Sequence, residues 1–330
     1  MNYFCTYFDS NYLIKGLTLY RSLVKNAHPF RLWVLCLDTS VYEVLKKLKL
    51  PEVVPISLGE FEAGDQDLQR VKPTRSRVEY YFTLTPSLVL GILKKYPEID
   101  VITYLDADLF FFSDPLPIFQ ELGENSIVII EHRFAPSLRR MEVFGIYNVG
   151  WISFRADPVG KECLEWWRNK CLDWCGDQAE PGRFADQKYL DDWPQRFARV
   201  SVLQHKGANL APWNLGNYCL RLNHGQVEVD SQPLIFFHFH RFNRVGNWLY
   251  DSNLDKFEVS SRSIIRRNIY GVYLRNLRET ERWLSVSGIN ISGEINFIRE
   301  SISLEPKGWR DLIKKIIKGS FLISLGKWTI

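Results

Sequence analysis

Two aspartates separated by one alanine are the residues of this sequence best suited to do chemistry. Asp106 and Asp108 follow the apolar run Val101–Tyr104, and a second apolar run, Leu109–Phe112, comes soon after. Side chains at positions i and i+2 of an extended chain point to the same side, so both carboxylates are predicted to converge at the end of a buried strand. Two adjacent anions repel unless a cation lies between them. A hard divalent metal that keeps positions open for phosphate oxygens fits this requirement, whereas two solvated acids at a strand end are the alternative.

The segments around this pair alternate between strand and helix patterns. Strands are predicted at Tyr3–Phe8, Arg31–Leu37, Glu52–Ile56, Val101–Tyr104, Ile127–Ile130 and Tyr147–Phe154, and helices at Leu13–Asn26, Val41–Leu48 and Val78–Lys95. Pro86 is predicted to interrupt the last helix. The acidic interval 59–72 is predicted to be a solvated loop. This order is typical of an α/β, Rossmann-like three-layer domain, whose ligands bind beyond the carboxyl ends of the strands.

Composition limits the classes of function. The chain has 330 residues, enough for one large α/β domain plus an appendage or for two domains, and its 46% hydrophobic and 24% charged residues are ordinary for a globular enzyme. A net charge of +4 is too small to indicate a nucleic-acid partner. No stretch reaches the roughly 18 uncharged apolar residues of a membrane span, and the amino terminus has no signal-peptide pattern. The six cysteines lack zinc-site spacing and are predicted to be free thiols. We therefore expect a cytoplasmic protein.

The character of the chain changes near residue 250. We predict a catalytic domain over residues 1–250 and a basic, helical extension over residues 251–330. Arg262–Trp283 carries six arginines against two glutamates, and Trp309–Lys327 interleaves apolar residues with lysines. A cationic amphipathic helix of this kind could lie on an anionic membrane surface, at the inner face of the membrane. The alternative is a terminal helix that docks on its own domain.

Several motifs occur in one order: the acid pair, Asn148-Val-Gly150, Phe184-Ala-Asp186-Gln187 and a late His238. Over roughly residues 3–248 this order resembles the metal-dependent GT-A nucleotide-sugar glycosyltransferases. It is most similar to glycosyltransferase family 8, with its glycogenin-like and bacterial lipopolysaccharide-transferase members. The resemblance implies a UDP-sugar donor, a bound Mn²⁺ (or Mg²⁺), and transfer with retention to a saccharide or lipid-linked saccharide acceptor. It places the protein in bacterial polysaccharide or lipopolysaccharide biosynthesis.

The resemblance also implies roles for individual residues. The uracil and ribose would be held by Thr6, Tyr7, Asn11 and Tyr12. The metal ligands would be Asp106, Asp108 and His238, with Asp106 also near the ribose. Asn148 would meet the donor sugar, and Asp186 and Gln187 would lie at its β-face near the anomeric carbon as the catalytic pair. Arg77 would contact the donor sugar or phosphate.

This chain departs from the family's late sequence signature. Its pattern is His-x-x-Gly-x-x-Lys-Pro-Trp, but in this chain the glycine is absent at its usual place and the phosphate-binding lysine is missing. Arg241, or else Arg244, is expected to supply the charge, because a guanidinium holds phosphate well. The His238-Phe-His240 spacing leaves open which histidine binds the metal. His28, His132, His205 and His224 are isolated in the sequence, and we predict structural roles for them.

The chemistry is coherent without the family. A departing UDP carries concentrated negative charge that a divalent metal stabilises, and the oxocarbenium-like centre tolerates only a polar face, which Asp186 or Gln187 could line. A sugar-1-phosphate nucleotidyltransferase is the first alternative, but it needs a glycine-rich basic loop after the first strand, and residues 8–12 contain neither glycine nor a basic residue. A non-catalytic nucleotide-sugar-binding protein is the second.

Overall fold

A mixed seven-stranded sheet forms the centre of the protein. The computed structural model describes residues 1–245, 249–259, 263–289, 315, 320–325 and 328–329. In chain order the first eight strands are β1 (Asn2–Phe8), β2 (Phe30–Cys36), β3 (Val53–Ser57), β4 (Val101–Leu105), β5 (Leu109–Phe111), β6 (Ile127–Glu131), β7 (Tyr147–Arg155) and β8 (Val200–Val202). All but β5 join the sheet, in the order β3-β2-β1-β4-β7-β6-β8. β1 pairs in parallel with β2 and β4, whereas β7 runs antiparallel to β4 and β6.

Helices connect these strands and cover both faces of the sheet. They are α1 (Leu13–Asn26), α2 (Thr39–Leu48), α3 (Leu58–Ala63), α4 (Gln66–Val71), α5 (Arg77–Lys95), α6 (Leu116–Leu122), α7 (Pro158–Asp173) and α8 (Trp193–Arg196). Neighbouring residues of β1 face opposite sides, so Phe4 packs with Leu17 of α1 while Cys5 packs with Leu88 of α5. The result is a three-layer α/β/α arrangement with a hydrophobic core on each face of the sheet.

The rest of the chain adds small sheets and a helix. These elements are β9 (Leu220–Asn223), β10 (Gln226–Val229), β11 (Gln232–Pro233), β12 (Phe236–His238), β13 (Asn243–Arg244), β14 (Leu249–Asp251), α9 (Gly271–Val286), β15 (Phe321–Leu325) and β16 (Trp328–Thr329). A π-helical turn, Ile265–Tyr270, leads into α9. The ring of Tyr273 stacks on Phe239 with centroids 3.7 Å apart, and Thr18 donates its hydroxyl proton to Thr280 over 3.0 Å. Helix α9 thus packs against α1.

The predicted fold class is confirmed, as are the predicted strands and helices to within a few residues at their ends. Residues 263–286 of the basic segment are helical, also as predicted. In the described part of the chain, no helix is both long and apolar enough to cross a membrane.

Three local predictions were wrong. The interval 59–72 forms α3 and α4 because Ser57 and Asp65 accept hydrogen bonds from the first backbone N–H groups of these helices. Three of its four acids, Glu62, Asp65 and Asp67, form ion pairs rather than being simply solvated; Glu62 meets Lys72 at 2.7 Å. Helix α5 continues through Pro86, because residues on both sides of the proline are buried against the sheet.

The third error concerns the tail. Trp309–Lys327 was predicted as one helix, and most of it lies outside the described residues. Phe321–Leu325 is instead a strand, because its backbone completes the ladder with β14, in which Tyr250 pairs with Leu322.

Candidate functional site

The acid pair lies in a tight turn between β4 and β5. The N–H of Leu109 donates to the carbonyl of Asp106 over 3.2 Å, and the N–H of Asp106 donates to the carbonyl of Gly150 on β7 over 3.0 Å. The two carboxylates therefore converge because the chain turns here, and not because they alternate along an extended strand. The predicted convergence is confirmed, but the predicted local conformation was wrong. Tyr104 donates its phenolic proton to Oδ1 of Asp106 over 3.0 Å and so fixes that carboxylate.

His238 reaches the pair because its strand lies beside theirs. β12 pairs antiparallel with β5, with His238 opposite Leu109. Nε2 of His238 lies 3.1 Å from Oδ1 of Asp108 and 3.6 Å from Oδ2 of Asp106. One donor atom from each of the three residues lies within 4.8 Å of the others. The predicted triad is therefore assembled in space.

The electrostatics of the triad follow from burial and charge. Burial opposes ionisation of Asp108, but the adjacent imidazolium and its hydrogen bond outweigh it and hold the pKa of that carboxyl below its usual range. Partial burial raises the pKa of Asp106. Burial alone would lower the pKa of His238, yet the charge and hydrogen bond of Asp108 raise it. Two carboxylates and one imidazole nitrogen fit a divalent cation such as Mn²⁺, which accepts both oxygen and nitrogen ligands.

His240 does not join this cluster. Its ring lies edge-on to Trp213, with centroids 5.5 Å apart, and 6.2 Å from Phe257. Burial among these rings lowers the pKa of His240 to about 3. The alternation His238-Phe-His240 therefore puts only the first imidazole against the two carboxylates.

Behind His238, polar side chains of β6, β7 and the Asp186 loop form a connected network. Nδ2 of Asn148 donates to Oε1 of Gln187 over 3.2 Å, and Nε2 of Gln187 donates to the carbonyl of Phe144 over 3.0 Å. Asn148 also contacts His132 at 3.3 Å. His132 was predicted to have a structural role, and its contact with Asn148 makes it part of this network. No spacing in the sequence links positions 132 and 148; the antiparallel pairing of β6 with β7 brings them together.

Asp186 is buried below this network. Its side chain is near Thr85 and Asp106, and burial raises its pKa to about 7. The indole N–H of Trp167 donates to the backbone carbonyl of Asp186 over 2.7 Å. The structure thus presents the partly buried Gln187, and not the buried Asp186, nearer to solvent.

The predicted nucleotide-binding residues cluster at the end of β1. Thr6 is fully buried, and the hydroxyl group of Tyr7 lies 3.2 Å from Oγ1 of Thr85. Asn11 and Tyr12 form a 3₁₀ turn capped by the Asp9 carboxylate, which accepts from both of their backbone N–H groups. The sequence analysis missed Asp9, although an aspartate directly before Ser-Asn-Tyr is a recognisable capping signal.

Arg77 supports this turn from outside. Its Nη2 donates to Oδ2 of Asp9 over 2.6 Å, and its Nε donates to the hydroxyl group of Tyr81 over 2.6 Å. The Arg77 side chain is 61% exposed, so its guanidinium is placed at the rim of the turn rather than at the triad.

A cleft that is partly open to solvent lies between this turn and the carboxyl-terminal region. It is lined by Asn11, Tyr12, Ile14, Lys15, Phe242, Asn243, Arg244, Tyr250, Leu277 and Glu281. Arg244 forms an ion pair with Glu281 at 3.2 Å, while Arg241 is exposed. Of the two arginines left open by the sequence, Arg244 is therefore the one that lines the cleft.

Lys15 is a cation that the sequence analysis missed. Its Nζ lies 4.4 Å from the ring centroid of Tyr12, and among the described residues it has no carboxylate partner within ion-pair distance. Burial lowers the pKa of Lys15, although the charge of Asp108 opposes that effect. The sequence does contain a signal for this residue: a lysine closely follows Asn11-Tyr12, in the first turn of the helix that begins there.

Comparisons with known proteins identify two sequence relatives and structures of similar fold. No protein-family model matches the sequence. The chain is 33% identical over 253 residues to the uncharacterized protein YfnF of Bacillus subtilis (strain 168), which covers 74% of this chain and 82% of YfnF. It is 31% identical over 293 residues to the uncharacterized protein YfnD of the same strain, which covers 86% of this chain and 89% of YfnD.

Among solved structures, the apo form of the glycosyltransferase GlyE of Streptococcus pneumoniae TIGR4 is similar, with a TM-score of 0.51 and 16% identity. The match covers 87% of this chain and 64% of the GlyE chain. The galactosyltransferase LgtC, in complex with donor and acceptor sugar analogs, matches with a TM-score of 0.48 and 14% identity over 81% of this chain and 100% of that chain. The likeness to GlyE shows a GT-A-like glycosyltransferase fold. By sequence, the chain belongs to the family of YfnF and YfnD.

Proposed function

We propose that this protein is a metal-dependent glycosyltransferase that moves a sugar from a UDP-sugar to a saccharide or lipid-linked saccharide acceptor, with retention of configuration. We assign it to glycosyltransferase family 8 and to bacterial polysaccharide or lipopolysaccharide biosynthesis, on the cytoplasmic side of the membrane. Residues 1–250 would form the catalytic domain and residues 251–330 its extension. The observation that carries the proposal is the convergence of Asp106, Asp108 and His238 at one end of a GT-A-like sheet.

The burial of these side chains supports a site for a bound cation. Asp108 is 7% exposed and His238 is 3% exposed. Desolvating two carboxylates and an imidazole costs free energy that packing with apolar residues of similar volume would avoid. A site for a divalent cation accounts for these groups together. When bound, such a cation stabilises the negative charge that develops on a departing diphosphate.

The protein's own residues would divide the remaining work. The turn at Asn11 and Tyr12, held by Asp9, lies beside the triad and is suited to hold the uridine. Lys15 lines the same cleft and has no ion-pair partner among the described residues, so its ammonium group suits a diphosphate. Arg244, although paired with Glu281, adds a guanidinium to the opposite wall of the cleft.

Amide groups would meet the donor sugar. Gln187 and Asn148 are linked to each other, and Asn148 lies next to His238. Neutral amides offer a polar face to a developing oxocarbenium ion without trapping it. Asp186, buried below them, would support the electrostatics of this face. No covalent nucleophile is assigned.

A direct test is UDP-sugar hydrolysis or transfer with and without Mn²⁺. The Asp108→Asn variant keeps the shape of the side chain but removes its charge, so we expect loss of Mn²⁺-dependent turnover while thermal unfolding shows a folded protein. A matched control is Asp114→Asn, which changes an exposed carboxylate in the turn after β5. Turnover in Asp108→Asn equal to that of the unchanged protein would remove the acid pair from the mechanism.

The donor can be found by thermal-shift measurements with nucleotide diphosphates and UDP-sugars. Stabilisation by UDP only when Mn²⁺ is present supports the proposal. Stabilisation by a nucleoside triphosphate with a sugar 1-phosphate would instead favour a nucleotidyltransferase.

A further inference from the structure

A chain of directed hydrogen bonds runs behind the triad, from β6 through β7 to His238. It joins the carbonyl of Ile146, the imidazole of His132, the amide of Asn148 and the imidazole of His238. His132 is 5% exposed, Asn148 5% and His238 3%. Buried polar groups need hydrogen-bond partners, so the donor or acceptor role of each group in this chain determines the role of its neighbour.

Backbone groups fix the direction of the first link. Nδ1 of His132 lies 3.2 Å from the carbonyl oxygen of Ile146, which can only accept. Nδ1 of His132 therefore carries the proton. Burial lowers the pKa of His132 to about 3, so the ring is neutral and Nε2 is an acceptor. That acceptor faces Nδ2 of Asn148 at 3.3 Å.

A second backbone group fixes the orientation of Asn148. The N–H of Gly150 donates to Oδ1 of Asn148 over 3.1 Å, so Oδ1 and Nδ2 cannot exchange places. The oxygen also lies 3.3 Å from Nδ1 of His238. Since Oδ1 only accepts, Nδ1 of His238 must carry a proton, and Nε2 is the ring nitrogen that faces Asp106 and Asp108.

The close packing around Gly150 independently supports this arrangement of Asn148 and His238. A Cβ atom at this position would lie 2.6 Å from Oδ1 of Asn148 and 2.9 Å from Nδ1 of His238, nearer than real Cβ contacts occur. The Asn148-x-Gly150 spacing puts both residues on one face of β7. The amide fills the space beside the imidazole because position 150 has no side chain.

We propose that His132 and Asn148 are positioning residues that fix the tautomer and the ring orientation of His238, so that Nε2 is presented to the cation held by Asp106 and Asp108. This inference rests on the proposed metal site and names the residues that prepare it. His132 acts through Asn148 and touches neither the cation nor the substrate. Outer-shell partners of metal-binding histidines typically change metal affinity about 10- to 100-fold when removed.

The test measures Mn²⁺ affinity of the full chain by electron paramagnetic resonance, without nucleotide. His132→Phe keeps the stacking on Phe134 but removes the acceptor for Asn148, and we expect Mn²⁺ to bind about 10- to 100-fold more weakly. His132→Gln restores an amide oxygen as acceptor and should recover most of the affinity. His224→Asn, in an exposed turn, is the control and should bind as the unchanged protein does.

A second readout reports the tautomer. In ¹⁵N-histidine protein saturated with Zn²⁺, two-bond ¹H–¹⁵N spectra should show His238 protonated at Nδ1 only, and His132→Phe should add a second ring state. Gly150→Ala should also weaken Mn²⁺ binding, because its Cβ would displace the Asn148 amide and the His238 ring together, which keeps the proposal testable if His132→Phe does not fold.

Two results would overturn the inference, and they differ. If the unchanged protein binds Mn²⁺ and His132→Phe and Gly150→Ala bind it equally well, then His132 and Asn148 do not position His238, and the proposed metal site is retained. If the unchanged protein binds no Mn²⁺, the proposed metal site is wrong, and so is the positioning role of His132 and Asn148.

Discussion

Nε2 of His238 lies 3.1 Å from Oδ1 of Asp108, although the two residues are far apart in the chain. Their contact depends on the antiparallel pairing of β12 with β5, which puts His238 opposite Leu109. The site is therefore built from the short turn between β4 and β5 and from the strand β12 that pairs beside it. Rigid supports of this kind hold ligand atoms close to a productive geometry.

The two neighbouring histidines should differ sharply when replaced. His238→Phe removes a donor atom from the triad, so we expect Mn²⁺ affinity to fall by more than about 100-fold, beyond the cost of losing an outer-shell partner. His240→Phe keeps an aromatic ring against Trp213 and should leave Mn²⁺ affinity within about threefold of the unchanged protein. Calorimetric titration with Mn²⁺ measures both. Equal losses would show that His240 also binds the cation.

Lys15 should govern nucleotide affinity. Lys15→Met keeps the length of the side chain and removes its charge, and hydrogen bonds to charged groups contribute about 1.5–3 kcal/mol. We therefore expect UDP to bind about 10- to 100-fold more weakly in the presence of Mn²⁺. Lys25→Met, at the exposed last turn of the same helix, is the matched control. Unchanged UDP affinity in Lys15→Met would place the diphosphate elsewhere.

Asp186 should make stability depend on pH. Burial raises its pKa from 3.8 to about 7, so between these values the folded state binds more protons than the unfolded state. This contribution to stability is fully present below pH 3.8 and is lost as pH rises through about 7. At 1.36 kcal/mol per pKa unit it amounts to about 4 kcal/mol.

The variant Asp186→Asn tests this, because an amide has no proton to lose. Urea unfolding at several pH values, with a chelator present, should show a smaller decrease in stability from pH 4 to pH 7 for the variant. The same decrease in both proteins would mean that the Asp186 carboxyl is ionised throughout.

The basic tail should draw the protein to anionic membranes. Lys314→Gln with Lys318→Gln lowers the charge of the tail by two, and each lysine near an anionic surface contributes about 1 kcal/mol. We expect co-sedimentation with phosphatidylserine vesicles at low salt to decrease markedly, and binding to neutral vesicles to stay unchanged. Lys315 is left in place because it pairs with Asp251. Equal sedimentation of both proteins would argue that the tail does not contact the membrane.

The sequence by itself determined the layer architecture and selected the residues of the candidate site. The apolar periods of α1 and β1 through β4 are local signals, since each burial pattern repeats within one element. The order of the motifs selected Asp106, Asp108 and His238 from many polar residues. Local reasoning failed at residues 59–72, where caps and ion pairs stabilise α3 and α4, and at Pro86, where packing of α5 outweighs the missing N–H.

Only the tertiary structure decided which atoms meet. It distinguished His238 from His240, put Arg244 rather than Arg241 in the cleft, and brought Lys15 to the side of Asp108. It also joined His132 to Asn148, because the pairing of β6 with β7 sets distances that no sequence spacing encodes. The physical reason is that periodicity reports burial of a residue along its own element, whereas contacts between elements depend on register and packing, which the whole chain fixes together.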